Sequence, residues 1–341
     1  MNKFSLAVLI FILNFSCSAQ NEGPGVGVMF YNLENLYDTI NDPNKDDEVF
    51  LPGADRNWNT ERYTTKLENM SKVIAMGAGI MPVLVGLCEV ENEQVIKDLV
   101  NEENLKEGNY AYVHFDSPDE RGIDVALLYN KKKFSVKKSF PIKVNLPSDS
   151  GDLTRDILFV YGEIEINGKR EPLNIFVNHW PSRVEGEEVS APKRMAAAQT
   201  LKHIIDSLYK KLTYPNIIIM GDFNDTPFDK SIQQGLNAQE IDAAIEGSTL
   251  TDLMASKQKS GEGSYNYKGL WQALDHIIVS NSLLDNKNLE VARNSTIFVK
   301  QDWMMFHHDK YGESPNRTYS GTRYIGGYSD HLPVFVELII K

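Results

Sequence analysis

Seven polar clusters stand at the boundaries of apolar runs in this 341-residue chain. They are Asn32-Leu33-Glu34, Glu89-Val90-Glu91-Asn92, Arg121-Gly122-Ile123-Asp124, Asn178-His179-Trp180-Pro181-Ser182-Arg183, Gly221-Asp222-Phe223-Asn224-Asp225, Asp275-His276 and Ser329-Asp330-His331. Any one alone is ordinary, because a Glu that ends a strand is usually solvated and an isolated His usually packs. Together they supply what hydrolysis of a phosphodiester requires. A hard, oxygen-bound cation calls for carboxylates, which Glu89 and Asp330 provide. A water must be oriented and deprotonated, which suits a His held by a carboxylate. Two such pairs are available: His331 with Asp275, and His179 with Asp124. The phosphate oxygens need neutral or cationic donors. Asn32, Asn224, His179 and either Arg121 or Arg183 can serve.

The elements that must carry these groups are legible from hydrophobic period. Val26–Tyr31 and Pro82–Leu87 are continuous apolar runs and predict buried strands. Further strands are expected at 110–115, 125–129, 134–144, 216–220, 277–279 and 334–340. Residues 157–166 alternate, turn at Asn167-Gly168 and return over 173–177, a hairpin signal. Helical spacing marks 60–76, with Thr60 offering an N-cap, then 90–100, and 192–211 starting at Pro192. Asp38–Asn59, rich in Asp, Asn, Pro and Gly, reads as a long loop. Its Asp42–Glu48 stretch alternates oxygen ligands but lacks a central Gly, so a solvated acidic loop is the better reading. Strands throughout, fewer helices, and hairpins mixed with crossovers predict an α/β domain with two packed sheets and helices outside, one domain over 25–341.

The motifs extend the reading. Gly221-Asp222-Phe223-Asn224 after an apolar strand resembles the GDFN motif of the endonuclease/exonuclease/phosphatase (deoxyribonuclease I-like) superfamily. Ser329-Asp330-His331-Leu332-Pro333 resembles its SDHxP motif, and Leu274-Asp275-His276-Ile277 its Asp-aromatic element. Tyr31–Asn35 and Val85–Val90 are similar to its opening asparagine strand and its glutamate segment, in the expected order. The resemblance covers nearly the whole chain and implies a four-layer α/β/β/α sandwich. It implies that Glu89 binds Mg²⁺ (Mn²⁺ as a substitute) with Asp330 and Asn32. It further implies that Asp222 activates water, Asn224 holds the phosphate, Asp275 fixes His331, and Asp124 partners His179. The His-Trp-Pro-Ser-Arg segment resembles exported bacterial members. The Arg121–Asp124 cluster lacks the tyrosine of the repair endonucleases, which argues against abasic-site cleavage.

Composition sets bounds. Net charge is −12, which opposes broad electrostatic adhesion to nucleic acid or anionic lipid, though a carboxylate site that recruits cations offsets this locally. A basic start, the apolar run Phe4–Phe15 and small residues after it predict a secretory signal peptide over residues 1–20. The expected location is therefore periplasmic or secreted, with a lipid anchor on Cys17 as the lipoprotein branch. Cys17 and Cys88 are the two cysteines, so no internal disulfide survives leader removal. The expected partner is a nucleic acid or another phosphodiester, bound by a monomer with arginines 121, 183, 194 and 323 around the site. A lipid or sugar phosphate is the alternative substrate, and a non-catalytic binding protein on the same scaffold is the rival of another class. Tyr265, Tyr267 and Trp271 read either as base-stacking residues or as cover for a sheet rim.

Overall fold

The computed structural model describes residues 25–147, 153–241 and 250–341. The expected leader, with Cys17, lies outside the described residues. The strand that carries Asn32 runs Val26–Leu36 (β1) and is buried through Leu33, as a continuous apolar run requires. It lies between the parallel strand Leu84–Val90 (β2) and the antiparallel C-terminal strand Val334–Ile340. Tyr110–His114 (β3) pairs with Asp124–Asn130 (β4), which in turn pairs with β2. Leu289–Val291 and Ile297–Phe298 add to the C-terminal strand and complete a seven-stranded mixed sheet.

The second sheet also has seven strands. Phe134–Ile142 (β5), Ile157–Ile166 (β6), Lys169–His179 (β7) and Ile217–Asp222 (β8) follow one another across it. Asp275–Ser280, Leu250–Asp252 and Ala238–Gln239 complete the order. The β6–β7 hairpin turns where expected, with Asn167 at φ 53° and Gly168 at φ 80°, the pair of positive values that a two-residue primed turn demands.

Three separate cores show how the layers stack. Val28, Phe30 and Leu127 of the first sheet pack on Val160, Val177 and Ile218 of the second. Outside the first sheet, Leu67, Met70 and Ile74 of helix α1 (Thr60–Met76) and Val95 and Leu99 of helix α2 (Glu93–Val100) cover Tyr31, Val85 and Leu128. Outside the second, Ala197, Leu201 and Ile205 of helix α3 (Glu187–Lys211) cover Phe176, Ile217 and Ile219. The result is the four-layer α/β/β/α sandwich.

Several boundaries differ from the sequence expectation; α2, for one, starts at Glu93 rather than 90, because Val90 ends β2. Asn59, not Thr60, caps α1, its side chain accepting from the Arg62 amide at 3.0 Å. Helix α3 begins at Glu187 rather than Pro192, with Ser190 and Arg194 buried along its first turns, and Pro192 lies inside the helix, where its missing N–H removes a ladder bond.

Candidate active site

Strand register brings the expected groups together at one end of the sandwich. In the second sheet His179 lies beside Asp222, and Asp222 beside Asp275. In the first, the β1–β2 pairing shifts just past Asn32 and Cys88, and Glu89 adopts φ 59°. Asn224 likewise sits at φ 51°. Left-handed backbone at non-glycine residues is a strain held by its surroundings, and it concentrates at functional sites. One amide joins the two sheets: Asn32 Nδ2 donates to Asp222 at 3.0 Å and to Glu89 at 3.3 Å. Its Oδ1 accepts from the Glu34 amide at 2.9 Å. In this arrangement Asn32 serves as a donor between carboxylates, and the Glu34 amide occupies one lone pair of its oxygen. The other Glu89 oxygen accepts from the Asn35 amide at 2.8 Å.

His331 also faces Asp222. Its Nδ1 lies 2.6 Å from Asp275 Oδ2, and its Nε2 lies 3.8 Å from Asp222 Oδ2. Burial disfavours the imidazolium, but the Asp275 and Asp222 carboxylates outweigh it and hold the ring well above its ordinary value. Burial pushes Asp222 up to about 7, with His331 pulling it down and Asp275 pushing it further up. The ring is fixed from behind: Ser329 Oγ accepts from the His331 amide at 3.1 Å and donates to the Asn32 carbonyl at 2.7 Å. Ser264 Oγ accepts from the Asp275 amide at 3.1 Å.

His179 departs from the expected pairing. Asp124 does not reach it, because it opens β4 next to the end of β3 and turns to His114, at 2.9 Å, and to the Ser117 amide, at 2.8 Å. His179 instead directs Nε2 towards Glu89 at 3.7 Å and Asp222 at 3.9 Å, while Nδ1 is buried with no partner among the described residues. Burial, with the cations of Arg155 and Arg121, holds this ring well below its ordinary value, so it is neutral. Arg155 was not among the expected residues. Its buried guanidinium donates to the His179 carbonyl at 3.2 Å, to Asp119 at 3.0 Å and to the Trp180 carbonyl at 2.6 Å, bracing the loop that carries His179. Its one sequence signal is position, directly ahead of an apolar strand.

Other expected groups sort by what already engages them. Arg183 places Nη2 2.9 Å from both Asp225 and Asp229, and its Nε donates to the Asn224 carbonyl. It therefore shapes the loop after Asp222 more than it offers charge to a phosphate. Arg194 is buried with Nε 2.7 Å from Asp225, which removes it from the expected phosphate track. His276 is buried against Asp252 and faces away from the cluster's chemistry. Arg121 stays exposed, 3.4 Å from Asp119. Asn224 Nδ2 donates to the Trp180 carbonyl at 3.1 Å, leaving one amide hydrogen. Glu89, Arg121, His179, Asp222, Asn224, Asp330 and His331 all line one cavity of about 750 Å³.

The donor set fits a hard divalent cation. Glu89 and Asp330 present carboxylates to this cavity, beside the buried carboxylate of Asp222. One ligand atom each from Asp222, Asp275 and His331 also lie within 4.8 Å of one another.

Comparison with known proteins places this geometry. No curated protein matches the chain by sequence. An endonuclease/exonuclease/phosphatase family protein from Bacteroides thetaiotaomicron is 18% identical with a TM-score of 0.56, over 93% of this chain and 96% of that one. A mannosyl-6-phosphatase from the same organism is 19% identical with a TM-score of 0.55, over 92% and 100%. A humanized D. rerio TDP2 is 12% identical with a TM-score of 0.54, over 93% and 99%. At these identities the likeness shows a shared fold. The model of the Endonuclease/Exonuclease/phosphatase family matches residues 27–340, every strand and loop just described, and the chain belongs to that family of phosphoester hydrolases.

Proposed function

We propose that the chain is a divalent-metal-dependent phosphodiesterase whose substrate is a nucleic-acid phosphodiester. The observation that carries the reading is the convergence of Glu89, Asp222 and Asp330 with His179 and His331 in one cavity. Glu89 and Asp330 would hold Mg²⁺ or Mn²⁺, and a bound ion neutralises phosphate charge and polarises the phosphorus centre. Asp222, fixed by Asn32 and the Asn224 amide, orients the attacking water and takes its proton. The water oxygen bonds to phosphorus as the ester P–O bond on the far side breaks, and the departing oxygen leaves as the alcohol with a proton taken from solvent. His331, kept protonated by Asp275, donates from Nε2 to a phosphoryl oxygen. Neutral His179 and the free amide hydrogen of Asn224 are donors for the same group.

A compact lipid or sugar phosphate is the second reading, favoured by one observation. Arg183 and Arg194 are committed to Asp225 and Asp229, which shortens the basic track a polymer would follow. Both kinds of molecule are named for proteins of this fold, a mannosyl-6-phosphatase and a D. rerio TDP2 with single-strand DNA product. The test is a Mg²⁺ panel of DNA, RNA, sphingomyelin, a sugar phosphate and bis(p-nitrophenyl) phosphate. Nucleic-acid cleavage that EDTA abolishes and Mg²⁺ or Mn²⁺ restores is expected, with Glu89→Gln losing metal response. Full rate in excess EDTA sinks the metal assignment, and hydrolysis of a lipid or sugar phosphate alone selects the second reading.

We also propose export of a monomer, from the leader-like residues 1–20. Mass spectrometry of native protein should find an N-terminus between Cys17 and Asn21. A diacylglycerol mass on Cys17 selects the lipoprotein branch, and an intact Met1 in the cytosol refutes export.

A further inference from the structure

Beside the catalytic cavity lies a second one of about 510 Å³. Tyr265 and Tyr267 line both, so the two share a wall. The chain carries 47 acidic against 35 basic residues, yet the second cavity is lined by Lys268, Arg317 and Arg323 and by no Asp or Glu among the described residues. Arg317 stands at the junction, its Nη2 3.6 Å from Asp330 of the catalytic cavity. Aromatic rings interleave with these cations. Tyr267 and Phe306 are 54% and 47% exposed, and Lys268 Nζ sits 4.9 Å over the Tyr267 ring. Two amides of the lining carry a buried atom with no partner among the described residues. One is a donor, Asn266 Nδ2, on a residue only 8% exposed; the other is an acceptor, Asn316 Oδ1. Asn266 Oδ1 is already used, accepting from the Gly269 amide at 2.9 Å. Buried polar atoms without partners are uncommon, and two in the wall of one cavity mark hydrogen-bonding capacity that the protein does not itself consume.

We propose that this second cavity is a nucleotide subsite. It takes the base and the adjoining phosphate of the residue next to the scissile bond in a single strand, and so deepens the phosphodiesterase reading on which it rests. Exposed rings between cations are how single strands are held: bases stack on the rings and phosphates lie on the cations. The spare amide donor and acceptor are buried and would meet the edge of an unpaired base, which offers both, on turning towards it. An acyl chain would leave Lys268 and Arg323 unmatched, with Arg317 answered by Asp330.

The test pairs binding with turnover. Binding of a dye-labelled oligothymidylate of about six residues, within the usual site size for single strands, is followed by anisotropy in EDTA, where cleavage is prevented. Turnover with Mg²⁺ compares the unlabelled strand with bis(p-nitrophenyl) phosphate, which has no adjoining nucleotide. Arg323→Gln and Phe306→Ala change exposed side chains, so both should fold. Lys287→Gln is the control, exposed near the far end of the C-terminal strand. Each of the first two should weaken binding about tenfold and lower the kcat/KM ratio of strand to small substrate by a similar factor, as loss of one stacked or paired contact does. Lys287→Gln should change neither. If the small substrate turns over but strand binding ignores both variants, the subsite is overturned and the hydrolase stands. Displacement of the strand by glucose 6-phosphate at lower concentration also overturns it. If nothing turns over while Arg323→Gln still weakens binding, the subsite holds and the catalytic reading has failed.

Discussion

His331 and Asp275 meet through a single 2.6 Å contact, and that contact decides the charge of the ring facing Asp222. Removing the ring as His331→Asn should lower kcat/KM by about 10²–10⁴-fold, the usual worth of a positioned acid–base group, with the circular dichroism of a folded protein. Asp275→Asn preserves shape but withdraws the charge, so it should reproduce part of that loss. A rate unchanged by either substitution returns His331 to the status of a packed core histidine. His179 owes its neutrality to burial and to Arg155, so Arg155→Met should impair turnover without touching substrate, by freeing the His179–Trp180 carbonyls. The sequence identified both histidines by residue type and position at strand ends. It paired one of them wrongly. A carboxylate ahead of a strand is compatible with several neighbours, and only the β3–β4 pairing shows that Asp124 faces His114.

Between the catalytic end and the sheet edge, His276 ties the strand Asp275–Ser280 to its neighbour Leu250–Asp252. Its Nδ1 lies 2.6 Å from Asp252, and its Nε2 lies 2.9 Å from the carbonyls of Asp225 and Ala273. Both nitrogens face acceptors, so both carry protons. Burial opposes the charge, but Asp252 outweighs it and raises the ring above its ordinary value. A raised folded-state value gives stability that is fully present below about pH 6.5, the unfolded value, and is lost as pH rises through the folded one. Asp252→Asn should therefore cost about 3–5 kcal/mol at pH 5.5, where it strands a buried cation. The difference should shrink towards pH 9. Equal losses by urea unfolding at both pH values would overturn the buried imidazolium. The long strands were legible because each is a continuous or alternating apolar run, and the Asn167-Gly168 turn fixed one register outright; short strands such as Ala238–Gln239, Leu250–Asp252 and Leu289–Val291 were not, because two or three residues carry no period. The start of α3 was not, because Pro192 is a strong start signal and the inward turn of Ser190 and Arg194 depends on Asp225, far along the chain.

Where β2 crosses β8 the two sheets leave no room for a side chain at Gly86. A Cβ there would lie 2.4 Å from Met220 Sδ. Gly86→Ala should destabilise by about 1–3 kcal/mol as overpacking does, and its combination with Met220→Ala should cost less than the two changes added, because one relieves the other. Thermal unfolding of the three variants measures the coupling, and strict additivity would place the clash elsewhere. This packing, a property of neither sheet alone, is what holds Asn32 of one sheet 3.0 Å from Asp222 of the other. It was implied by motif resemblance and invisible to periodicity, which cannot say which faces meet. The same scale governs encounter with substrate. A net charge of −12 repels a polyanion at long range, while Lys268, Arg317 and Arg323 attract it locally. Binding of a single strand should thus weaken with salt, but gently. Three neutralised phosphates give a slope of log affinity against log salt of about −2, and the partial engagement of Arg317 with Asp330 makes that a ceiling on steepness. Titration between about 50 and 200 mM salt reads the slope directly. A value near −2 or shallower fits a short cationic wall beside an acidic centre. A slope of about −5 or steeper requires a long basic track elsewhere on the molecule, and would move the nucleic-acid surface away from the second cavity.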